Sequence, residues 1–317
     1  MPPVSITLRG TPLAEFAGEA ARAESLGYAA AYSTESANDP FLPIALAAGA
    51  TSSVGLGTSI AVAFPRSPLQ TAHTAWDLQR LTGGRFVLGL GTQVRAHVER
   101  RFSAPFKPAA ARMREYVGAL RAIWAAWRDG SELRFEGEFY AHTLMPPNFR
   151  PAPLDGPPPP IHLAAVRERM LGVAGEVADG VLLHAFLTED HLRDVVLPAL
   201  GTRDLHVGCG LFVATSDEEW ESARRRVAFY GSTPGYWGVL ETHGLKSLGE
   251  RLHACTKENR WAEMPGLVDD DVLALFCVRS PGEAAGRAAL VDAFGLNGGA
   301  DADLGALAPF ARELAAL

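Results

Sequence analysis

Cysteine is scarce. Cys209, Cys255 and Cys277 are the only three in 317 residues, and their spacing matches neither a metal site nor a redox pair. That excludes a disulfide scaffold and leaves reduced thiols, the usual state in a cytoplasmic protein. Positive charge is also short: the net charge is −7, which argues against general nucleic-acid binding. A local cluster of positive or dipolar groups would still suffice for an anionic cofactor. The start, Met1-Pro2-Pro3-Val4-Ser5, has no basic residue and no apolar signal core.

Several catalytic signatures are missing. The nine histidines include no His-Glu-x-x-His run and no clustered pair, so no metal site is expected. There is no Gly-x-Ser-x-Gly elbow and no P-loop. Gly89-x-Gly91 lacks the third glycine and the following helix of a nicotinamide dinucleotide fingerprint. Phe41 to Phe64 imitates a membrane span, because it carries no charge and could cross the ~30 Å of a bilayer core. Yet it holds Gly49, Gly55 and Gly57 with five Ser/Thr residues, and no aromatic belt flanks it. A buried helix, a turn and a buried strand describe it better, with no membrane contact.

What is present suits one large core. The chain is 48% hydrophobic and 21% charged, and its length is normal for a single α/β barrel. No composition break marks a second domain, so residues 1–317 read as one. The chain is organised around Leu78 to Gln93. A helix ends at Gly83-Gly84, where glycine can take the left-handed conformation that stops a helix. Phe86 to Leu90 is then a continuous apolar run, as in a strand covered on both faces. Gly89 and Gly91 allow another backbone, or a flat ligand, to approach closely. The polar pair Thr92-Gln93 follows at the carboxyl end, where chemistry sits in a parallel barrel.

The rest alternates between strand and helix. Strands are expected at Val4–Leu8, Tyr28–Thr34, Val54–Val62, Phe86–Leu90, Ile161–Ala164, Gly180–His184 and Leu205–Val213. The eighth is the weak point, because Gly295 to Leu317 shows no convincing β pattern. Thr11-Pro12 opens the first helix and Gly27 stops it. Capping boxes are expected at Ser67-Pro68-Leu69-Gln70, at Ser216-Asp217-Glu218-Glu219 and at Ser280-Pro281-Gly282-Glu283, the last capping the final clear helix. Residues 130–160 are too long for a plain connector and are expected to form a hairpin and a lid over the mouth. Residues 229–271 read as a helical insertion rich in aromatics: Tyr230, Tyr236, Trp237 and Trp261. Met113, Tyr116, Val117, Leu120, Ile123, Trp124 and Trp127 recur at helical spacing, as core or as a subunit interface.

Leu81-Thr82-Gly83-Gly84-Arg85-Phe86 followed by Leu88-Gly89-Leu90-Gly91-Thr92 resembles the signature of the bacterial luciferase-like superfamily. Leu56-Gly57-Thr58-Ser59, Arg134 to Tyr140, Pro157 to Ile161 and Ala174 to Gly180 agree with it in order and spacing, from about Leu26 to Pro198. The resemblance implies a TIM (β/α)8 barrel using reduced flavin or the deazaflavin coenzyme F420, with closest likeness to the F420-dependent branch. It also implies a homodimer, with helices around His73 to Trp76 and Met113 to Trp127 as the suggested contact.

The resemblance places a bulge with a non-proline cis peptide on Ser59, Ile60 and Ala61, backing the deazaflavin ring beside Thr92. Ala164-Ala165-Val166 leads into a helix start whose free N–H groups could hold a phosphate, with charge from Arg167 and Arg169. Gly180, Val181, Leu182 and His184 would face the same tail. Related proteins often have glycines in the loop after strand five, and this chain has none there. Where many F420-dependent relatives carry Asp-His after strand two, this chain has Glu35-Ser36. Where they place a glutamate after strand four, it has Val94. Glu35 is then the first catalytic candidate, since a carboxyl group under an apolar ring has its charged form disfavoured. Asn38, Gln93 and His142 are lesser ones. The expected activity is hydride transfer between F420 and a small organic substrate. The alternatives are an FMN-dependent monooxygenase using oxygen, and a barrel that binds a ligand without turnover.

Overall fold

A computed structural model describes residues 2–297 and 303–316. Eight parallel strands close into a ring: β1 (Val4–Thr7), β2 (Ala30–Ser33), β3 (Gly55–Thr58), β4 (Phe86–Gly91), β5 (Ile161–Ala164), β6 (Gly180–Leu183), β7 (His206–Val213) and β8 (Ala293–Asn297). Each pairs with the next, and β8 pairs with β1 through Val4 opposite Phe294. This is the expected α/β barrel, a TIM (β/α)8 architecture. Its closing strand is the one the sequence hid. Ala293–Asn297 is five residues long with Gly295 at its centre. It is a strand because β1 and β7 pair with it from both sides.

Successive strand residues point to opposite faces. On β1 and β4 the outward positions, Val4, Ile6, Phe86, Leu88 and Leu90, are large and buried under the helices. The inward positions are small or polar. Ser5, Ala30, Tyr32, Val87, His162, His206 and Ala293 line one cavity of about 400 Å³ at the amino ends of the strands. Higher up, the Leu182 side chain lies against Gly89 on one side and Gly208 on the other. The bulky core therefore sits between strands and helices, and the base of the barrel is hollow.

Local signals explain some of the helix ends. Gly27 takes φ 87° and closes helix Phe16–Leu26, which starts one turn after Thr11-Pro12. Ser67 and Gln70 form the full reciprocal capping box. At Ser216 only half of it forms. Ser216 Oγ accepts from the Glu219 amide, but the Glu219 carboxylate accepts from Thr215 instead. At Ser280 no side-chain cap forms: Ser280 Oγ donates to the Glu283 carboxylate, and only short helical turns follow. The last helix is Leu304–Leu314, tied to the first through Arg22–Asp303 and by Tyr28 Oη donating to the Leu304 carbonyl.

The two insertions are present. Residues 130–160 contain the antiparallel pair Phe135–Glu136 and Ala141–His142. Glu115 of helix Ala109–Asp129 pins this hairpin by accepting from the amides of Glu138, Phe139 and Tyr140. The hairpin thus stands on the barrel's flank, beside the rim. Trp76, Met113, Trp124 and Trp127 are buried within the chain itself, so the expected dimer stripe is core. Helices from Trp237–Thr242 to Asp270–Phe276 form the second insertion. Their own apolar core includes Phe186, Phe212, Val227, Leu240, Leu252 and Phe276. Among the described residues, no helix is long and apolar enough to cross a membrane.

Two predictions follow from the barrel wall. A Cβ on residue 89 would stand 1.7 Å from the Thr58 carbonyl oxygen. Gly89→Ala should lower urea stability by about 3 kcal/mol, whereas Gly172→Ala, in open space on an exposed helix face, should raise it by up to ~1 kcal/mol. His162 is 7% exposed. Burial first, then its stacked neighbour His206, push its pKa down to about 4 from 6.5. The unfolded chain takes up that proton first, so stability falls as pH drops through this interval, by ~3 kcal/mol at most. His162→Gln should flatten that part of the pH dependence of the urea midpoint.

Candidate active site

The mouth of the barrel is shaped by a register change in the third strand. Gly57 is opposite Val87, and Ala61 is opposite Leu90. Between these pairs the third strand advances four residues and β4 three, which defines a bulge. The Ser59–Ile60 peptide bond within it is cis. The Ser59 amide donates to the Ser33 carbonyl, and Thr58 Oγ1 donates to the Gly89 carbonyl. Ser59 and Ile60 are partly exposed, while Thr58 and residues 61–63 are buried. The bulge therefore presents two residues to the mouth from an otherwise dry wall. The room beside Gly91 is taken by the Ile60 side chain and the room beside Gly89 by the Thr58 carbonyl. Both glycines admit protein backbone and side chain, not a ligand.

The Glu35 side chain is 5% exposed and is held through one oxygen. Its Oε2 accepts from the Val62 amide at 2.6 Å and from Arg66 Nη1 at 2.7 Å. Arg66 also donates to the Val62 carbonyl and to Asp39. Burial alone would lower the Arg66 pKa, but pairing with Glu35 and Asp39 outweighs it and raises it. Glu35 is thus bound to the strand that follows the bulge, not free beside a ligand. Arg66 escaped sequence reasoning, although it is the first charge after the uncharged run Phe41 to Phe64.

The other candidates divide by position. Gln93 takes φ 58°, uncommon for a residue with a side chain, and its Oε1 accepts from the next amide, Val94. Thr92 is partly exposed, and its hydroxyl donates to the Gln93 carbonyl. Asn38 is exposed on the loop after β2. His142 lies on the flank hairpin, in its second strand Ala141–His142. Ala164 and Val166 are partly exposed and Ala165 is buried. Helix Glu168–Val177 begins after Arg167 with no side-chain cap, and Met170 and Leu171 are the first amides to bond back. Its first N–H groups are unspent. Arg167 and Arg169 are exposed and pair with no carboxylate of the described residues.

Gly180, Val181 and Leu182 do not reach this rim. Gly180 lies at the amino end of β6 against the His162 ring. Val181 is buried facing outward, and Leu182 fills the barrel interior. His184, the first residue of the loop after β6, does reach the rim, and there it sits inside an aromatic cage. Its ring centroid is 4.2 Å from Tyr230, 5.0 Å from Tyr236 and 6.3 Å from Phe212. Tyr230 and Tyr236 belong to the stretch 229–271, whose aromatic content alone hinted at them, and Phe212 comes from β7. Among the described residues, no three His, Cys, Asp or Glu side chains are grouped to hold a metal.

A closed parallel barrel with a bulged third strand and polar residues at its carboxyl rim places the chain in the TIM-barrel class, where chemistry sits at that rim. The family model for luciferase-like monooxygenases matches residues 3–297, and the chain belongs to that family. An uncharacterised protein of Mycobacterium tuberculosis is 47% identical over 284 residues, covering 85% of this chain and 84% of that one. The 5,10-methylenetetrahydromethanopterin reductase of Archaeoglobus fulgidus is 26% identical over 248 residues, covering 72% and 70%. In fold, the chain matches the coenzyme F420-dependent tetrahydromethanopterin reductase of Methanopyrus kandleri with TM-score 0.74 at 21% identity, covering 93% and 92%.

Removing Arg66 should expose the role of the buried pair. Arg66→Met strands the Glu35 carboxylate at the foot of the bulge and should cost about 3 kcal/mol in urea denaturation.

Proposed function

We propose that this protein is a coenzyme F420-dependent oxidoreductase acting on a small organic substrate. The observation that carries the reading is the pairing of two features on one rim. The first is the partly exposed bulge at Ser59 and Ile60, with Ala164 and the Ile60 side chain meeting at Gly91. The second is the uncapped helix start at Arg167 with two exposed, unpaired arginines. A flat ring against the first and an anionic tail on the second would suit a deazaflavin. The likeness to a methylenetetrahydromethanopterin reductase supports the same choice. When bound, the reduced deazaflavin supplies a hydride.

The chain's own groups then supply orientation and dryness. Ser59 and Ile60 buttress the ring, and buried Ala61, Val62 and Ala63 keep water from behind it. Glu35 acts as a positioning residue by tying Val62 to the loop after β2. Asn38 and Gln93 serve as polar rim groups. A homodimer in the cytoplasm is part of the proposal, with the contact moved off Trp76 and Met113.

The family's monooxygenase members favour a second reading, reduced FMN with oxygen, on the same rim. Titration of the apoprotein with F420 and with FMN should show F420 binding at least ~10-fold tighter. Reduced F420 with a panel of ketones and aldehydes should show its absorbance return. Oxygen consumption with reduced FMN and no F420 response would overturn the proposal. Tight F420 binding with no turnover on any substrate would point to a binding barrel instead.

A further inference from the structure

We propose that His184 is the hydrogen-bond donor that polarises the substrate: its Nε2–H points to the oxygen of a carbonyl or alcohol held at the barrel mouth. The inference rests on the oxidoreductase reading above and adds a residue that the expected acid–base positions do not include.

The geometry begins one layer below. Leu182 faces the barrel interior against Gly89, whose other neighbour is the Thr58 carbonyl at the foot of the cis bulge. The strand ends at Leu183, and His184 is the first residue beyond it, one step nearer the rim. The Phe186 amide donates to His184 Nδ1 at 2.9 Å. A neutral imidazole that accepts at Nδ1 carries its proton on Nε2. That nitrogen has no partner among the described residues. The residue as a whole is partly exposed.

The cage decides what this ring can do. Tyr230 and Tyr236 come from the helical side, Phe212 from β7, and the exposed Arg9 from the loop after β1. Burial, with Arg9 adding to it, pushes the His184 pKa down to about 3. Among the described residues, Arg9 is the charged group that acts on this ring. A ring so reluctant to take a proton is a poor general base at neutral pH. It is a permanent donor, and a donor fixed where negative charge develops lowers the barrier without a proton transfer. This accounts for chemistry at a rim where Ser36 and Val94 replace the expected His and Glu.

The test uses the full-length apoprotein, nitrogen-15 labelled at histidine, with cyclohexanone as the probe carbonyl. The expected spectrum shows His184 as the Nε2–H tautomer, unchanged between about pH 8 and 5. Cyclohexanone should shift that Nε2 resonance and leave His162 unmoved. His184→Phe, which keeps the aromatic cage, should weaken cyclohexanone binding ~10-fold. His184→Gln, which keeps an N–H donor, should weaken it no more than ~3-fold. In holoenzyme, His184→Phe should lower kcat by ~10²- to 10³-fold with F420 affinity unchanged. Titration near pH 6.5, the opposite tautomer, or no response to the probe overturns the inference. Because the probe arm needs no cofactor, it stands or falls separately from the F420 reading.

Discussion

The structure depends on one close approach. The Thr58 carbonyl is thrust towards Gly89 so far that a Cβ there would meet it at 1.7 Å. Only a residue without a side chain leaves that space, and only that space lets the third strand step inward. The step carries Ser59 and Ile60 into the mouth and returns Ala61 and Val62 to pairing with Leu90 and Gly91. Glu35 and Arg66 then hold the returning strand from outside. A buried ion pair of this kind contributes little net stability against an apolar substitute, but it specifies one arrangement. Here that arrangement is the rim itself.

The same economy of side chains shapes the barrel's inside. TIM barrels usually fill their interior with bulky branched residues. This one carries large buried residues on the outer faces of β1 and β4 and leaves Ser5, Ala30 and Ala293 below, with Gly89 and Gly208 higher up. Two histidines meet the result differently. His162, at the base, is a buried ring whose Nδ1 lacks a protein partner. His184, at the rim, has Nδ1 satisfied by the Phe186 amide, and its Nε2 has no partner among the described residues. Both resist protonation because burial disfavours the charged form. Only the second stands where a ligand at the strand ends could use its donor.

Much of the scaffold was legible in the chain. The apolar run Phe86 to Leu90, the stop at Gly27 and the reciprocal box at Ser67 and Gln70 are local effects, and each appears in place. The half-formed box at Ser216 and the absent cap at Ser280 show the limit of that logic: a competing carboxylate contact, invisible in the pattern, wins. The strand Ala293–Asn297 was illegible because its stability comes from neighbours on both edges rather than from its own residues. Glu35 read as an unattached acid, since nothing nearby in sequence reveals that Arg66 returns to meet it.

By itself, the sequence determined the alternation of strands and helices, their boundaries within a few residues, and the family to which the barrel belongs. Those follow from periodicity, caps and glycine positions, which act over a few residues. The tertiary structure alone decided which polar groups are spent and which are available. It bound Glu35 to Val62 and Arg66, sent Gly180 to the base of the barrel, and enclosed His184 among Tyr230, Tyr236 and Phe212. The physical reason is that a side chain's hydrogen bonds and desolvation are set by residues distant in sequence, brought close only when the ring of strands shuts.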